Sequence, residues 1–441
     1  MNQHKHPSAV FAVVALLAIL ATCVAVTGCE ALPDWARVAE PATAPAAAPV
    51  PAPKSPAAPP GTPPAAAPAP AAAAPTPPPI LPFDTALATA AADLFNKAQQ
   101  AVGADARRVI VIDPLIDGAS AVQSVATRKM EEAIVDLVKR RYPQFDPQPF
   151  SRASLARTPL VLVGTFTAVN NAGKPERPDA YRICLALADL GSGRILSKGT
   201  ARAHPQGLDT TPTAFFRDAP GWLRDPRSDG YIRTCQGTKP GEAIDPIYLD
   251  NILVASVIAQ AIDLYGKRRY QDALQEYSGA LQMAGGRQLR VLNGVYLSNL
   301  RLGRPAQAEA AFAELVDFGL GARKLGMMFV FRPGSTDLSS DPLAPTPYPM
   351  WLRQLAARAL RANACLELTG HTSKTGPEPL NERLSLLRAE TIRQRLEREA
   401  PPLRERMITT GVGSRETIIG TGADDLSDAF DRRVDFKVVG C

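Results

Sequence analysis

The stretch LELTGHTSKTGPEPLNERLSLLRAETIRQRL, Leu366 to Leu396, decides how the C-terminal part of this chain folds. Leu366, Leu368 and His371 stand among small and polar residues, as a short strand requires. Gly370, Gly376, Pro377 and Pro379 punctuate a loop. From Asn381 onward, apolar residues recur at Leu384, Leu387, Ile392 and Leu396, close to a helical period. Asn381 and Arg388 are seven residues apart, two helical turns, so both are expected on one helix face beside the loop. A polar loop facing an Asn and an Arg suits a small, charged ligand.

The residues Gly370, His371, Thr372, Ser373, Gly376, Asn381, Leu384, Ser385, Arg388 and Ala389 follow a spacing that resembles the OmpA-like peptidoglycan-binding domain. MMFVFRPGSTDL, Met327 to Leu338, is similar to that family's first strand. MITTGVGSRETIIGTG and DRRVDFKVV are similar to its third and closing strands, so the resemblance runs from Leu325 to Cys441. It implies an α/β sandwich whose ligand is the diaminopimelate unit of the peptidoglycan stem. In that family an Asp holds the ammonium of the ligand, and an Arg fifteen residues later holds its carboxylate. Arg388 matches the Arg, and a guanidinium offers a carboxylate two parallel donors. Ser373 stands where the Asp belongs. A hydroxyl there replaces a charge-assisted bond with a neutral one, at about 1–2 kcal/mol. Glu378 and Glu382 are two candidates to restore the charge. Thr372, Ser373, Asn381 and Arg388, supported by Arg433 of the closing strand, are therefore the candidate peptidoglycan-binding residues.

Composition narrows the rest. The chain has 441 residues, enough for several domains, and its 42 prolines are about twice the usual share. The formal charge of +6 is spread along the whole chain, and basic residues are not interleaved with aromatic ones. That excludes a stacking platform, so no nucleic-acid partner is expected. Residues 1–28 read as an export signal, with Lys5 ahead of the apolar run AVFAVVALLAILATCVAV. Val26-Thr27-Gly28-Cys29 resembles the bacterial lipobox, which implies acylation of Cys29 and a lipid anchor. Glu30, rather than Asp, follows it, and the resemblance then points to the outer membrane, facing the periplasm. Residues 29–40 form the lipidated N-terminus, and residues 41–82, almost entirely Ala and Pro, an extended tether without a core of its own.

Residues 83–205 read as an α/β domain: helical from Thr85 to Ala101 and from Val122 to Arg141, with strands at Arg107–Asp117, Pro159–Val169, Tyr181–Leu190 and Ile195–Ala203. Gly191-Ser192-Gly193 gives the last two strands a tight hairpin turn. The whole order resembles FlgO-like and penicillin-binding-protein-activator domains, whose Asp-Leu-x-x-Gly turn Asp189, Leu190 and Gly193 match, and the resemblance implies a role in protein interaction. Asp113 and Asp117 are read as turn formers rather than a catalytic pair. Residues 206–246 are a connector packed on its neighbours. Residues 247–320 are helical, and Ala273 and Tyr277 recur 35 residues later as Ala308 and Phe312. That period resembles tetratricopeptide repeats, with a plain helical spacer as the alternative.

Four cysteines fall in the folded part, and the expected pairs are Cys184–Cys235 and Cys365–Cys441, with four unpaired thiols as the alternative. No spacing among them resembles a metal site. The usual catalytic motifs are absent, and His371 is expected to bond structurally to its loop. No enzyme and no cofactor are expected. The reading is a multidomain α/β plus α protein, an outer-membrane lipoprotein that contacts peptidoglycan and scaffolds an unknown envelope protein. The alternative is a periplasmic regulatory adaptor that lost wall binding because Ser373 replaced the Asp.

Overall fold

The computed structural model describes residues 78–103, 107–169, 178–339, 347–419, 422 and 427–441. Cys29, the export signal and nearly all of the Ala/Pro tether lie outside the described residues. The chain divides into two units, Met1–Ala73 and Ala74–Cys441. The described residues all belong to the second, which holds every core cluster described below.

Its first part runs β1 (Ile80–Leu81), α1 (Phe83–Val102), β2 (Arg108–Ile112), β3 (Ile116–Asp117), α2 (Val125–Arg141), β4 (Phe145–Gln148), α3 (Arg152–Leu155), β5 (Leu160–Val169), β6 (Ala180–Asp189) and β7 (Arg194–Ala203). These strands form one mixed sheet in the order β1-β7-β6-β5-β2-β4, with β3 paired to β5. The tether was read as ending at Pro82, but Ile80 and Leu81 already pair in parallel with Arg202 and Ala203. Asp117 Oδ1 accepts the amides of Ala119 and Ser120, closing the turn after β3.

Both faces of this sheet are buried. Leu160 and Leu162 of β5 face α1 and α2, where Leu94, Phe95, Met130 and Ile134 are fully buried. The alternate residues Val161 and Val163 point the other way, as the two-residue period of a strand demands. Their cover comes from later in the chain. After α4 (Ala214–Asp218) and β8 (Gly221–Trp222) come α5 (Pro226–Gln236) and α6 (Pro246–Gly266). These bring Tyr231, Ile232, Cys235, Tyr248 and Ile252 onto that second face. Among the described residues α6 is the one helix apolar and long enough to cross a membrane. It is apolar because its opposite side, with Val254, Val257, Ile258 and Ala261, packs into a second core.

That core continues through α7 (Tyr270–Leu281), α8 (Leu289–Arg301) and α9 (Pro305–Gly321), which follow one another as neighbouring helices. Ala273, Tyr277, Ala308 and Phe312 are buried there, and a Cβ on Gly294 would lie 2.3 Å from the Tyr277 ring, so the helices meet closely where α8 carries glycine. The C-terminal part adds β9 (Lys324–Met327), α10 (Tyr348–Arg361), β10 (Cys365–Gly370), α11 (Glu378–Glu399), β11 (Met407–Gly411) and β12 (Val434–Val439). Its sheet has the order β11-β10-β12-β9-β8. The connector thus contributes an edge strand to the C-terminal sheet, with Gly221 opposite Met327 and Trp222 opposite Gly326.

The seam between the helices and this second sheet is aromatic. The Trp351 ring stacks on Phe312 with centroids 5.5 Å apart, and its indole Nε1 donates to Tyr296 Oη at 2.8 Å. Cys365 and Cys441, at the ends of antiparallel neighbours β10 and β12, are disulfide-bonded. Cys184 and Cys235 are free, buried thiols with sulfurs 2.6 Å apart. Trp351→Ala should cost about 3–5 kcal/mol, since it opens a cavity and strands the Tyr296 hydroxyl. Urea unfolding of the Ala74–Cys441 chain, followed by circular dichroism, measures it; a loss below about 1 kcal/mol would contradict this account of the seam.

Candidate functional site

The loop after β10, the N-terminal half of α11 and the turn after β11 meet at one place. Gly370 ends β10 against α11 so closely that a Cβ there would lie 1.9 Å from the Ser385 carbonyl oxygen. The Thr372 amide donates to Gly413 O at 2.9 Å, and the Gly413 amide donates to Ser385 Oγ at 2.9 Å. One hydrogen-bonded chain therefore joins the two loops to the middle of the helix.

The helix is oriented differently from its apolar pattern. Leu387 and Leu386 face solvent, at 46% and 42% exposure, while Asn381, Ser385 and Arg388 are buried. The periodicity at Leu384 and Leu387 named the wrong face for the N-terminal half, because that face has polar partners waiting inside. Asn381 Nδ2 is 3.4 Å from Gly376 O. Arg388 donates from Nε to Ser335 O at 3.1 Å and from Nη2 to Arg332 O at 3.2 Å, and lies 5.0 Å over the Phe331 ring. Further along, Ala389, Ile392 and Leu396 bury the expected apolar stripe. The helix also starts three residues before Asn381, at Glu378, because Pro379 in the first turn gives up an amide that has no helical partner.

Thr372, Ser373, Asn381, Arg388 and Arg433 all fall in this neighbourhood and are all buried. The Thr372 hydroxyl has no hydrogen-bond partner among the described residues. Arg433 stands at the back of the site. It pairs with Asp435 (Nε to Oδ1, 3.0 Å), donates to Glu416 O at 3.3 Å and lies 5.9 Å over the Trp222 ring. His371 also turns away from its loop: Nε2 is 3.3 Å from Asp435 Oδ2 on β12. The two carboxylates offered as replacements for the missing Asp are engaged with the opposite loop. Glu378 accepts from Ser414 N at 3.1 Å, and Glu382 pairs with Arg415. Met327–Leu338 was likened to a strand, but β9 ends at Met327, so Phe331, Arg332 and Ser335 reach Arg388 from the loop that follows it, and Ser414 from the loop after β11. α10 was also overlooked, although Trp351, Leu352, Leu355, Ala356 and Ala359 show its helical spacing. Among the described residues no group of His, Cys, Asp and Glu could hold a metal ion.

Burial pushes the Asp435 pKa up, but the hydrogen bond from His371 and the charge of Arg433 outweigh it and hold the group at about 2. A carboxylate depressed from 3.8 to about 2 adds stability that is present above pH 4 and is lost as pH falls toward 2. Asp435→Asn should therefore cost about 2 kcal/mol at pH 7 and progressively less below pH 4. Urea midpoints between pH 2 and 7 test this, and a cost independent of pH would refute it.

Residues 330–429 match the model of the OmpA family. The chain is similar to the crystal structure of a peptidoglycan-associated lipoprotein from Burkholderia pseudomallei, at 22% identity over 27% of this chain and 92% of that one, with a TM-score of 0.23. It is similar to a putative MotB-like protein from Desulfovibrio vulgaris, at 17% identity over 30% and 94% of the two chains, with a TM-score of 0.23. A cell wall anchor of the T6SS from Pseudomonas aeruginosa is similar at 18% identity over 30% and 97%, also with a TM-score of 0.23. No curated protein matches the chain.

Proposed function

We propose that the C-terminal domain docks this protein on peptidoglycan, taking the diaminopimelate carboxylate with Arg388 and lining the pocket with Thr372, Ser373 and Asn381. The observation that carries this reading is a buried polar set, including the partnerless Thr372 hydroxyl, inside the segment that matches the OmpA family. Burying an arginine at 2% exposure, and a hydroxyl without a partner among the described residues, is costly in an apolar core and is accounted for by a polar ligand. Arg433 acts behind the site by fixing β12 and Asp435. The protein is held at the outer membrane by acylated Cys29, and the Ala/Pro stretch spans the gap to the wall. Residues 83–205 act as a FlgO-like interaction domain, and α6 to α9 as two tetratricopeptide-like hairpins offered to an envelope partner. Ser373 supports a second reading, in which wall binding is lost and the protein is a regulatory adaptor.

The two readings separate in co-sedimentation of the Ala74–Cys441 chain with diaminopimelate-type sacculi. Wild type should pellet, Arg388→Ala should lower the bound fraction at least tenfold, and Ser373→Asp should tighten binding about ten- to thirtyfold. Wild type staying in the supernatant while Ser373→Asp pellets would decide for the adaptor. We also propose that Cys184 and Cys235 close a second disulfide in the oxidising envelope, where disulfide-exchanging oxidants take up the two electrons and two protons. Intact-mass analysis of protein exported to the periplasm, alkylated without reduction, should then show no modified cysteine in the folded part. Two alkylations, at Cys184 and Cys235, would show instead that they remain thiols.

A further inference from the structure

A cleft with a cavity volume of about 90 Å³, open to solvent, lies between the first sheet and the helices, on elements separate from the site above. It lies where the chain geometry of an open α/β sheet leaves a crevice. β4 and β5 flank β2 in parallel, so the chain leaves the C-terminal end of β2 toward β4 and later returns to β5 on the other side. Asp113 and Pro114, which follow β2, form the inner end of the cleft. Such reversals of strand order are where these sheets take ligands.

The chemistry of the walls is amphipathic. Ile116, Phe216, Ile258 and Ile262 make an apolar floor, and Ala255 and Ala259 leave room above it. Asp225 is occupied as the N-cap of α5, and Asp263 is paired with Lys267 at 2.7 Å and Arg128 at 3.5 Å. Arg227 and Arg290 line the cleft too. Arg227 donates to the neutral Asn251 side chain at 3.0 Å and Arg290 to the Ala121 carbonyl at 3.2 Å. Among the described residues neither has a carboxylate within ion-pair distance. Asp113 accepts from Tyr248 Oη at 2.8 Å, and burial pushes its pKa up to about 7, against the pull of Tyr248 and Arg290. Of the three arginines that line the cleft, Arg128 is paired with Asp263, so Arg227 and Arg290 are the two left to meet an anion.

We infer that this cleft binds a small amphipathic carboxylate, its chain on the Phe216, Ile258 and Ile262 floor and its charged end met by Arg227 and Arg290. The floor supplies affinity for any alkyl chain, and the guanidiniums select the anion.

Calorimetric titration of the Ala74–Cys441 chain with octanoate, octanol and octylammonium tests this. Octanoate should saturate one site, octanol should bind about tenfold more weakly, and octylammonium more weakly still. Arg227→Gln and Arg290→Gln should each weaken octanoate about tenfold and leave octanol unchanged, while Arg290→Lys restores part of the loss. Ala259→Trp, which fills the cleft from a half-exposed position, should remove binding of both without lowering the unfolding temperature. No saturable octanoate binding overturns the inference. Equal affinity for octanoate and octylammonium, or glutamine variants that bind octanoate as wild type does, also overturns it.

Discussion

Burial of both faces of β5 and β6 is the constraint on which the rest of this structure depends. Every residue from Leu160 to Phe166 is buried, and Leu162 and Val163, on opposite faces, are both fully so. The long helices α1 and α2 cover only one face, and the short α3 adds just Leu155 to the other. The other would leave Val161, Val163, Ala186 and Ala188 in water, at roughly 25 cal/mol for each Å² of apolar surface. The chain meets that cost with α5 and α6, which begin at Pro226 and Pro246, well after β7 ends at Ala203. That solution commits α6 on one side, and its other side then joins the core that runs through the helices and Trp351 into the C-terminal sheet as far as Phe436.

From this follows the lack of clean seams in Ala74–Cys441. Trp222 belongs to an edge strand of the second sheet, yet its indole donates to Ser120 O in the first part at 3.1 Å and its ring faces Arg433. The candidate wall-binding site is backed by that contact, since Arg433 fixes Asp435, which in turn fixes His371. A charged pair can be buried here because Arg433 and Asp435 meet at 3.0 Å. The depressed pKa of Asp435 is the physical sign of that compensation.

Much of the architecture was legible. The hairpin strands β5, β6 and β7 were read to within a residue or two, whereas Arg107–Asp117, read as one strand, breaks at Asp113-Pro114 into β2 and β3, and β4 was not read. The turn at Asp189 has the Asx geometry its sequence suggests, with Gly191 donating to Asp189 Oδ1 at 3.0 Å. The candidate site was legible through spacing: Thr372, Ser373, Asn381 and Arg388 share one neighbourhood, as their intervals imply. The partner of His371 was not, because a β12 carboxylate 64 residues away leaves no local trace. Nor was the orientation of α11, where Leu380, Leu386 and Leu387 point outward so that Asn381 and Arg388 can face loop carbonyls and Ser385 the Gly413 amide.

The sequence by itself determined the local elements, the polar loop before α11 and the family likeness of the last hundred residues, because periodicity, turn residues and motif spacing are properties of neighbours along the chain. Only the tertiary structure decided which helix covers which face, that the connector supplies β8, that Glu378 and Glu382 clasp the 412–415 loop, and that Asp113, Arg227 and Arg290 share a cleft. Those outcomes rest on matching buried surface and hydrogen-bond partners between segments far apart in sequence, and no local pattern records who the partner will be.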